Sequence, residues 1–313
     1  MKKIIALLLA VFFIGLPCDS FAGIKTKAAL ITMNSSDVHW IRLKYGALAR
    51  VEEFALRGDQ VDLMCLAPKN YDIEEQIKMI REAIAAEVSY IIIACADPER
   101  LNGALKEALD AGIKIIYVDS PATIEGSATF ATDNREAGAQ IGEYLRKVLE
   151  QDGITKGMVG IITTNGYSDS CQERIEGFTS ALKDTELMFT IHNYQDTNSA
   201  RARKLAEGMI EIGVVAVYGA DNYATIGAAS AVKAAAMKGK KVYCAGWDNS
   251  EENLSAVQEG SLLACMLQDP WSMGKRAITA VVNMESGAKT MHGVIDHTGA
   301  FMVTQDNINT FKQ

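Results

Sequence analysis

The chain has 313 residues, 49% of them hydrophobic and 22% charged, with 31 basic against 39 acidic side chains and a formal net charge of −8. No basic cluster occurs along it, which argues against nucleic acid or an anionic membrane surface as a partner. The length exceeds a comfortable single core and points to two domains.

Lys2 and Lys3 precede an apolar run over 4–16, and Ser20-Phe21-Ala22 follows as a small-x-small cleavage site. A charged start, an apolar stretch too short to span a bilayer and a cut site together read as an export signal, cleaved after Ala22. The mature protein is therefore expected to be periplasmic, and losing Lys2, Lys3 and Asp19 takes its formal charge to −9. Pro17 occupies the place where a small residue would precede a lipidated cysteine, so Cys18 does not read as a lipid anchor. Five cysteines remain, Cys65, Cys95, Cys171, Cys244 and Cys265, and an odd number leaves at least one free thiol. No CxxC or Cys/His cluster is present, so no metal site is expected.

Beyond the signal, short β-branched runs alternate with longer helical patterns. Strands are expected at 28–33, 61–66, 90–94 and 113–118, with helices at 37–57, 72–86 and 98–111 between them. The run 90–94 is apolar on both faces, the mark of a parallel sheet covered on both sides. Asp97-Pro98-Glu99 reads as a helix cap followed by a first-turn proline. From about 133 the rhythm restarts: helices at 134–149, 170–182, 198–212 and 222–237 alternate with strands at 158–163, 188–194, 214–219 and 241–246. A short helix from Ser250, a strand at 262–267 and a long helix from Pro270 to about 286 follow. Two βαβ halves of similar length define the fold class: α/β, two doubly wound parallel-sheet lobes with a cleft between them.

One acid ends a strand in each half. Residues 115–118 run into Asp119-Ser120, and 242–246 into Trp247-Asp248. Ligands of doubly wound sheets sit outside the carboxyl ends of the strands. If the two sheets face one another, Asp119 and Asp248 point into one gap. Trp40, Asp221 and Gln268 follow other strands in the same way. The bland reading of the two acids is a turn or helix-cap role.

These residues resemble a known family, the periplasmic substrate-binding proteins of sugar ABC transporters, in the ribose-binding-like group with the type I periplasmic binding protein fold. The resemblance runs through Trp40 with Gly46-Ala47, Val118-Asp119-Ser120, Thr132-Asp133-Asn134 with Gly138, and 173–178. It continues through Asp221-Asn222 before Gly227, Gly246-Trp247-Asp248, Gln268-Asp269-Pro270 and Thr298-Gly299. It implies lobes of 24–132 plus 269–295 and of 133–268 plus 296–313, joined by a three-segment hinge. It also implies that Trp40, with His39 beside it, stacks on a sugar ring, that Asp119 and Asp248 accept from hydroxyls, and that Arg174 donates. Asp221, Trp247 and Gln268 stand at further ligand positions. Ser120 departs from the arginine of ribose-binding members, as Ala94 departs from their amide side chain, which makes ribose itself a poor fit. Asp119, Asp221 and Asp248 against a single Arg174 suit a neutral or cationic hydroxyl-rich ligand better than an acidic one.

Charge-assisted hydrogen bonds of about 1.5–3 kcal/mol each, with ring stacking, are enough for micromolar binding of such a molecule. The expected protein is a monomeric exported receptor, without cofactor, that closes on a sugar or polyol and hands it to an ABC permease. The alternative is a sensory receptor read by a chemoreceptor or membrane kinase. An enzyme is not expected: no GxSxG, P-loop, HExxH or Rossmann glycine motif occurs. Carboxylates on opposite lobes of a hinged body would also hold a fixed catalytic separation poorly. Asn134 is expected to cap the helix it begins. Cys65 and Cys95 could line the cleft, and Cys244 and Cys265 lie on strands close enough to make a bridge conceivable, although bridges within a sheet are geometrically awkward.

Overall fold

The computed structural model describes residues 23–164, 168–194 and 197–310, so the expected signal segment lies outside the described residues. Strand β1 (Lys25–Ile31) leads to α1 (Val38–Ala55), β2 (Gln60–Leu66), α2 (Ile73–Ala85), β3 (Tyr90–Ile93), α3 (Asn102–Asp110), β4 (Lys114–Val118) and β5 (Ala128–Ala131). The second half repeats the series with α4 (Asn134–Gln151), β6 (Lys156–Thr163), α5 (Asp169–Ala181), β7 (Glu186–Asn193), α6 (Ser199–Glu211), β8 (Ala216–Gly219), α7 (Asn222–Ala236), β9 (Tyr243–Trp247), α8 (Glu251–Glu259) and β10 (Ala264–Gln268). Helix α9 (Pro270–Glu285), β11 (Val294–His297) and β12 (Ala300–Thr304) complete the chain, with a 3₁₀ turn at Ile308–Thr310.

Among the described residues the strands form two six-stranded sheets of the same topology, β11-β5-β4-β3-β1-β2 and β12-β10-β9-β8-β6-β7. Every pair is parallel except β10 with β12. Side chains alternate across a strand, and here both faces are apolar. Ala28, Leu30 and Ile92 pack beneath α1 and α9, whereas Ala29, Ile31 and Ile91 pack beneath α2 and α3. The second sheet repeats this: Val217 and Cys265 face α6 and α7, and Tyr218, Ala245 and Trp247 face α4 and α5.

Helix starts follow capping chemistry. Asp37, Asp72, Asp133, Asn198, Asp221, Ser250 and Asp269 each accept from a backbone N–H of the first turn. Asp133, not Asn134, is therefore the cap of α4. Around Pro98 the expectation fails. Asp97 Oδ1 accepts from the N–H groups of Glu99 and Arg100, closing a local turn, and α3 begins only at Asn102. The four residues of β5 were not expected as a strand, nor were β11 and β12.

Those missed strands build the connection between the sheets. The chain passes from the first sheet to the second after β5, returns after β10, and crosses again at Thr298-Gly299 between β11 and β12. At that last crossing Gly299 takes φ +85, and the Thr298 N–H donates to the Ala131 carbonyl. Thr132 Oγ1 donates to Gln268 Oε1 at 3.1 Å, so the first two crossings are tied by side chains. Cys244 and Cys265 are both free thiols: β9 and β10 place Cys265 opposite Gly246, two residues from Cys244.

Candidate functional site

Asp119 and Asp248 occupy equivalent places in the two halves, directly after β4 and β9. Both adopt left-handed backbone angles, φ +63 and +72, and among the described residues the only other non-glycine with positive φ is Glu87. Asp tolerates this region better than most side chains. The Asp119 N–H donates to the Phe130 carbonyl and that of Asp248 to the Met266 carbonyl, so each is pinned to the next strand of its sheet. The turn lifts each carboxylate off the end of its strand into a shared cavity.

That cavity has a volume of about 300 Å³ and is walled by both lobes. Small-molecule sites span roughly 300–1,000 Å³, so this one fits a small guest. The first lobe supplies Asp37, His39, Trp40, Tyr71 and Asp119. The second supplies Thr164, Cys171, Arg174, Asp221, Tyr223, Asp248 and Gln268 among others. Most of these follow the carboxyl ends of strands, β1, β4, β6, β8, β9 and β10.

His39 Nε2 lies 3.1 Å from Asp119 Oδ1, an ion-pair contact off the in-line hydrogen-bond direction, with the side chains 15% and 9% exposed. Burial opposes a charge on His39, but Asp119, with Asp248 and Asp37 behind it, holds the imidazole above its ordinary pKa. Burial likewise opposes ionisation of Asp119. His39 and the Ser120 hydroxyl, which donates to Asp119 Oδ2 at 2.6 Å, outweigh it and hold the carboxyl below its usual range.

Arg174 is fixed on three sides. Its Nε donates to Asn134 Oδ1 at 2.8 Å, its Nη1 donates to the Ala220 carbonyl at 3.2 Å, and its guanidinium lies 3.9 Å from the Trp247 ring centre. Burial works against its charge, but Asp248, whose Oδ2 is 4.0 Å away, and more weakly Cys171 and Asp119 raise its pKa. Asp248 Oδ1 accepts from Gln268 Nε2 at 2.7 Å. The carboxylate thus touches the side chain that also ties the hinge crossings.

The expected site residues divide into two groups. His39, Trp40, Asp119, Arg174, Asp221, Asp248 and Gln268 line the cavity; Ser120 and Trp247 do not. Trp247 is fully buried beneath the cleft, its Nε1 donating to Tyr218 Oη, and it serves as the plate on which Arg174 rests. An indole fills that interior slot better than it reaches past the Asp248 turn. Ser120 turns back to hold Asp119. Asp221 touches the cavity, but its oxygens already accept from Thr163, twice from Thr164 and from the Ala224 N–H, so its main task is to cap α7 and tie β6 to β8. Neither Cys65 nor Cys95 reaches the cavity, whereas Cys171 does. Asp37, Tyr71 and Tyr223 were missed. Asp37 was legible only as a helix start, and the two tyrosines stand at positions with no local motif.

Comparison with known proteins agrees with this fold. A family model described as a periplasmic binding protein domain matches residues 28–289. The chain belongs to the periplasmic binding protein family. Among its relatives, a D-ribose/D-allose-binding protein of Pseudomonas aeruginosa is 25% identical, covering 95% of this chain and 97% of the relative. A ribose import binding protein of Haemophilus influenzae is also 25% identical, covering 92% of this chain and 95% of its own length. In three dimensions a solute-binding protein of an ABC transporter from Burkholderia graminis, solved with D-arabinose, superposes with a TM-score of 0.82 at 23% identity, covering 93% of this chain and 99% of that one. Periplasmic binding proteins of this fold thus share the two-lobed frame found here.

Proposed function

We propose that this protein is an exported, periplasmic solute receptor that captures one small polyhydroxylated molecule, a sugar or polyol, and delivers it to an ABC permease. The observation that carries the reading is the matched pair of left-handed aspartates, one per lobe, facing one cavity. Carboxylates accept from neighbouring hydroxyls, Arg174 donates to hydroxyl or ring oxygens, and Trp40 offers an apolar face to a ring's C–H groups. His39 and Gln268 complete the polar wall. The segment 1–22, read from its sequence as an export signal with a cut after Ala22, supports a periplasmic site of action.

Capture works by population shift. Lobes of 24–132 with 269–295 and of 133–268 with 296–313 swing about the three crossings. A ligand favours the shut form only through contacts it makes better there, so contacts from both lobes are required. The shut form of a monomer is what the permease recognises, and turnover is no part of the role. Relatives named for ribose, allose and ABC transport support this reading.

Thermal-shift screening of the mature chain against neutral pentoses, hexoses and cyclitols tests it. A ligand raises the melting temperature by mass action, by about 2.7 kcal/mol of added stability at a hundredfold excess over Kd. A response from at least one member, lost in Asp119→Asn, is expected. Silence from this panel and from its amino-substituted counterparts contradicts the reading.

A further inference from the structure

The carboxylates of the cleft are not equally compensated. Asp221 accepts four internal hydrogen bonds, Asp119 has His39 and Ser120, and Asp248 has Gln268 with Arg174 nearby. Asp37 has none of these. Its Oδ1 caps α1 by accepting from the His39 N–H, and its second oxygen has no hydrogen-bond or ion-pair partner among the described residues. It nevertheless lines the same cavity. Burial first raises its pKa, the His39 N–H and then the His39 charge lower it, and the charges of Asp248 and Asp119 raise it again, so that an imidazolium already paired with Asp119 leaves this acid short of a counter-charge.

Three aromatic residues line the same cavity as that acid. Trp40 lies three residues along the same helix start, and its Nε1 donates to Tyr71 Oη at 3.1 Å. Tyr223, at the start of α7 in the other lobe, lines the cavity with them. The Asp37 charge raises the phenol pKa of both tyrosines after burial has done so, which places them within its field. A carboxylate set among ring faces is the chemistry that accepts an ammonium group: the acid supplies the counter-charge and the rings attract the cation through their quadrupoles. A neutral hydroxyl would leave Asp37 with only the imidazolium that Asp119 already holds.

We propose that the ligand bears a protonated amino group beside its hydroxyls, as in an amino sugar or amino cyclitol, with the ammonium seated on Asp37 among Trp40, Tyr71 and Tyr223. The inference rests on the receptor reading above and specifies its ligand class. Asp37 is then the residue that selects the amine over its hydroxyl parent.

Isothermal titration of the mature chain against matched sets tests it: D-glucosamine, D-glucose and N-acetyl-D-glucosamine; the galactose set; and an aminodeoxy-inositol with myo-inositol. In at least one set the amine should bind about tenfold or more tightly than both its hydroxyl parent and its acetylated form. Asp37→Asn should collapse that ratio to within about threefold, because asparagine caps a helix as well as aspartate and leaves the fold in place. Hydroxyl parents binding as tightly as the amines, or an amine preference unchanged in Asp37→Asn, overturns the inference while leaving the receptor reading intact. Silence from every set and from the neutral panel overturns both.

Discussion

Replacing His39 with glutamine should cost stability in a pH-dependent way. The imidazole sits 3.1 Å from a carboxylate whose side chain is only 9% exposed. Removing one partner of such a buried pair typically costs about 3–5 kcal/mol, because the other charge is left behind. Here Ser120 still donates to Asp119 and the glutamine amide can donate once, so the loss should be about 2–3 kcal/mol where the pair is fully formed. The folded-state pKa of His39 is raised, so its contribution is complete below the unfolded imidazole value near 6.5 and is lost as pH rises through the folded value. That of Asp119 is lowered, so its contribution is present above the unfolded value near 3.9 and is lost only as pH falls through the folded value. The destabilisation should therefore be greatest between about pH 4 and 6.5 and shrink on the alkaline side. Urea unfolding followed by tryptophan fluorescence reads this directly, since the Trp40 ring centre is 4.5 Å from that of His39. A loss of stability that is the same at pH 5.5 and pH 9 would refute the ion-pair account.

Three further outcomes follow from packing and chemistry elsewhere. A Cβ on Gly177 would meet the Arg135 carbonyl at 2.0 Å, so Gly177→Ala should part α4 from α5, cost about 1–3 kcal/mol and weaken ligand binding through Arg174; Gly208→Ala, facing open space in α6, should instead stabilise by about 0.5–1 kcal/mol. Trp247→Phe should weaken ligand binding severalfold without touching the ligand, and a double-mutant cycle with Arg174→Met should show non-additivity, because the indole acts by holding the guanidinium. In the folded protein Ellman's reagent should label Cys65 fastest, since Cys95, Cys171, Cys244 and Cys265 are buried and burial raises their thiol pKa, to about 12 for Cys171; labelling of all five at one rate would contradict the burial pattern.

Much of the frame was legible because its signals are local. The apolar run at β3, fully buried in the sheet, announces a strand covered on both faces, and the alternation of such runs with capped helices announces two wound sheets. Asp119 and Asp248 were found because each ends a strand in a repeated series. What escaped depends on tertiary partners. The four residues of β5 carry too short a pattern to read, and β11 pairs with them only because the chain returns 166 residues later, Val294 opposite Ala128. Trp247 and Ser120 were placed in the cleft by the family resemblance and their place after a strand, whereas the direction of a side chain after a turn is decided by what space the core leaves. Asp37 shows the converse: its capping role is written in the local sequence, and its place in the cavity is not.

The most direct measurement is isothermal titration of the tightest panel ligand into wild type, Asp119→Asn and Asp248→Asn, asparagine being chosen because it also tolerates the left-handed backbone. One ligand per chain should bind, with each substitution weakening it about tenfold or more, because the two carboxylates reach the same molecule from opposite lobes. Affinity left intact by either substitution, in a variant that unfolds normally, would contradict the central claim.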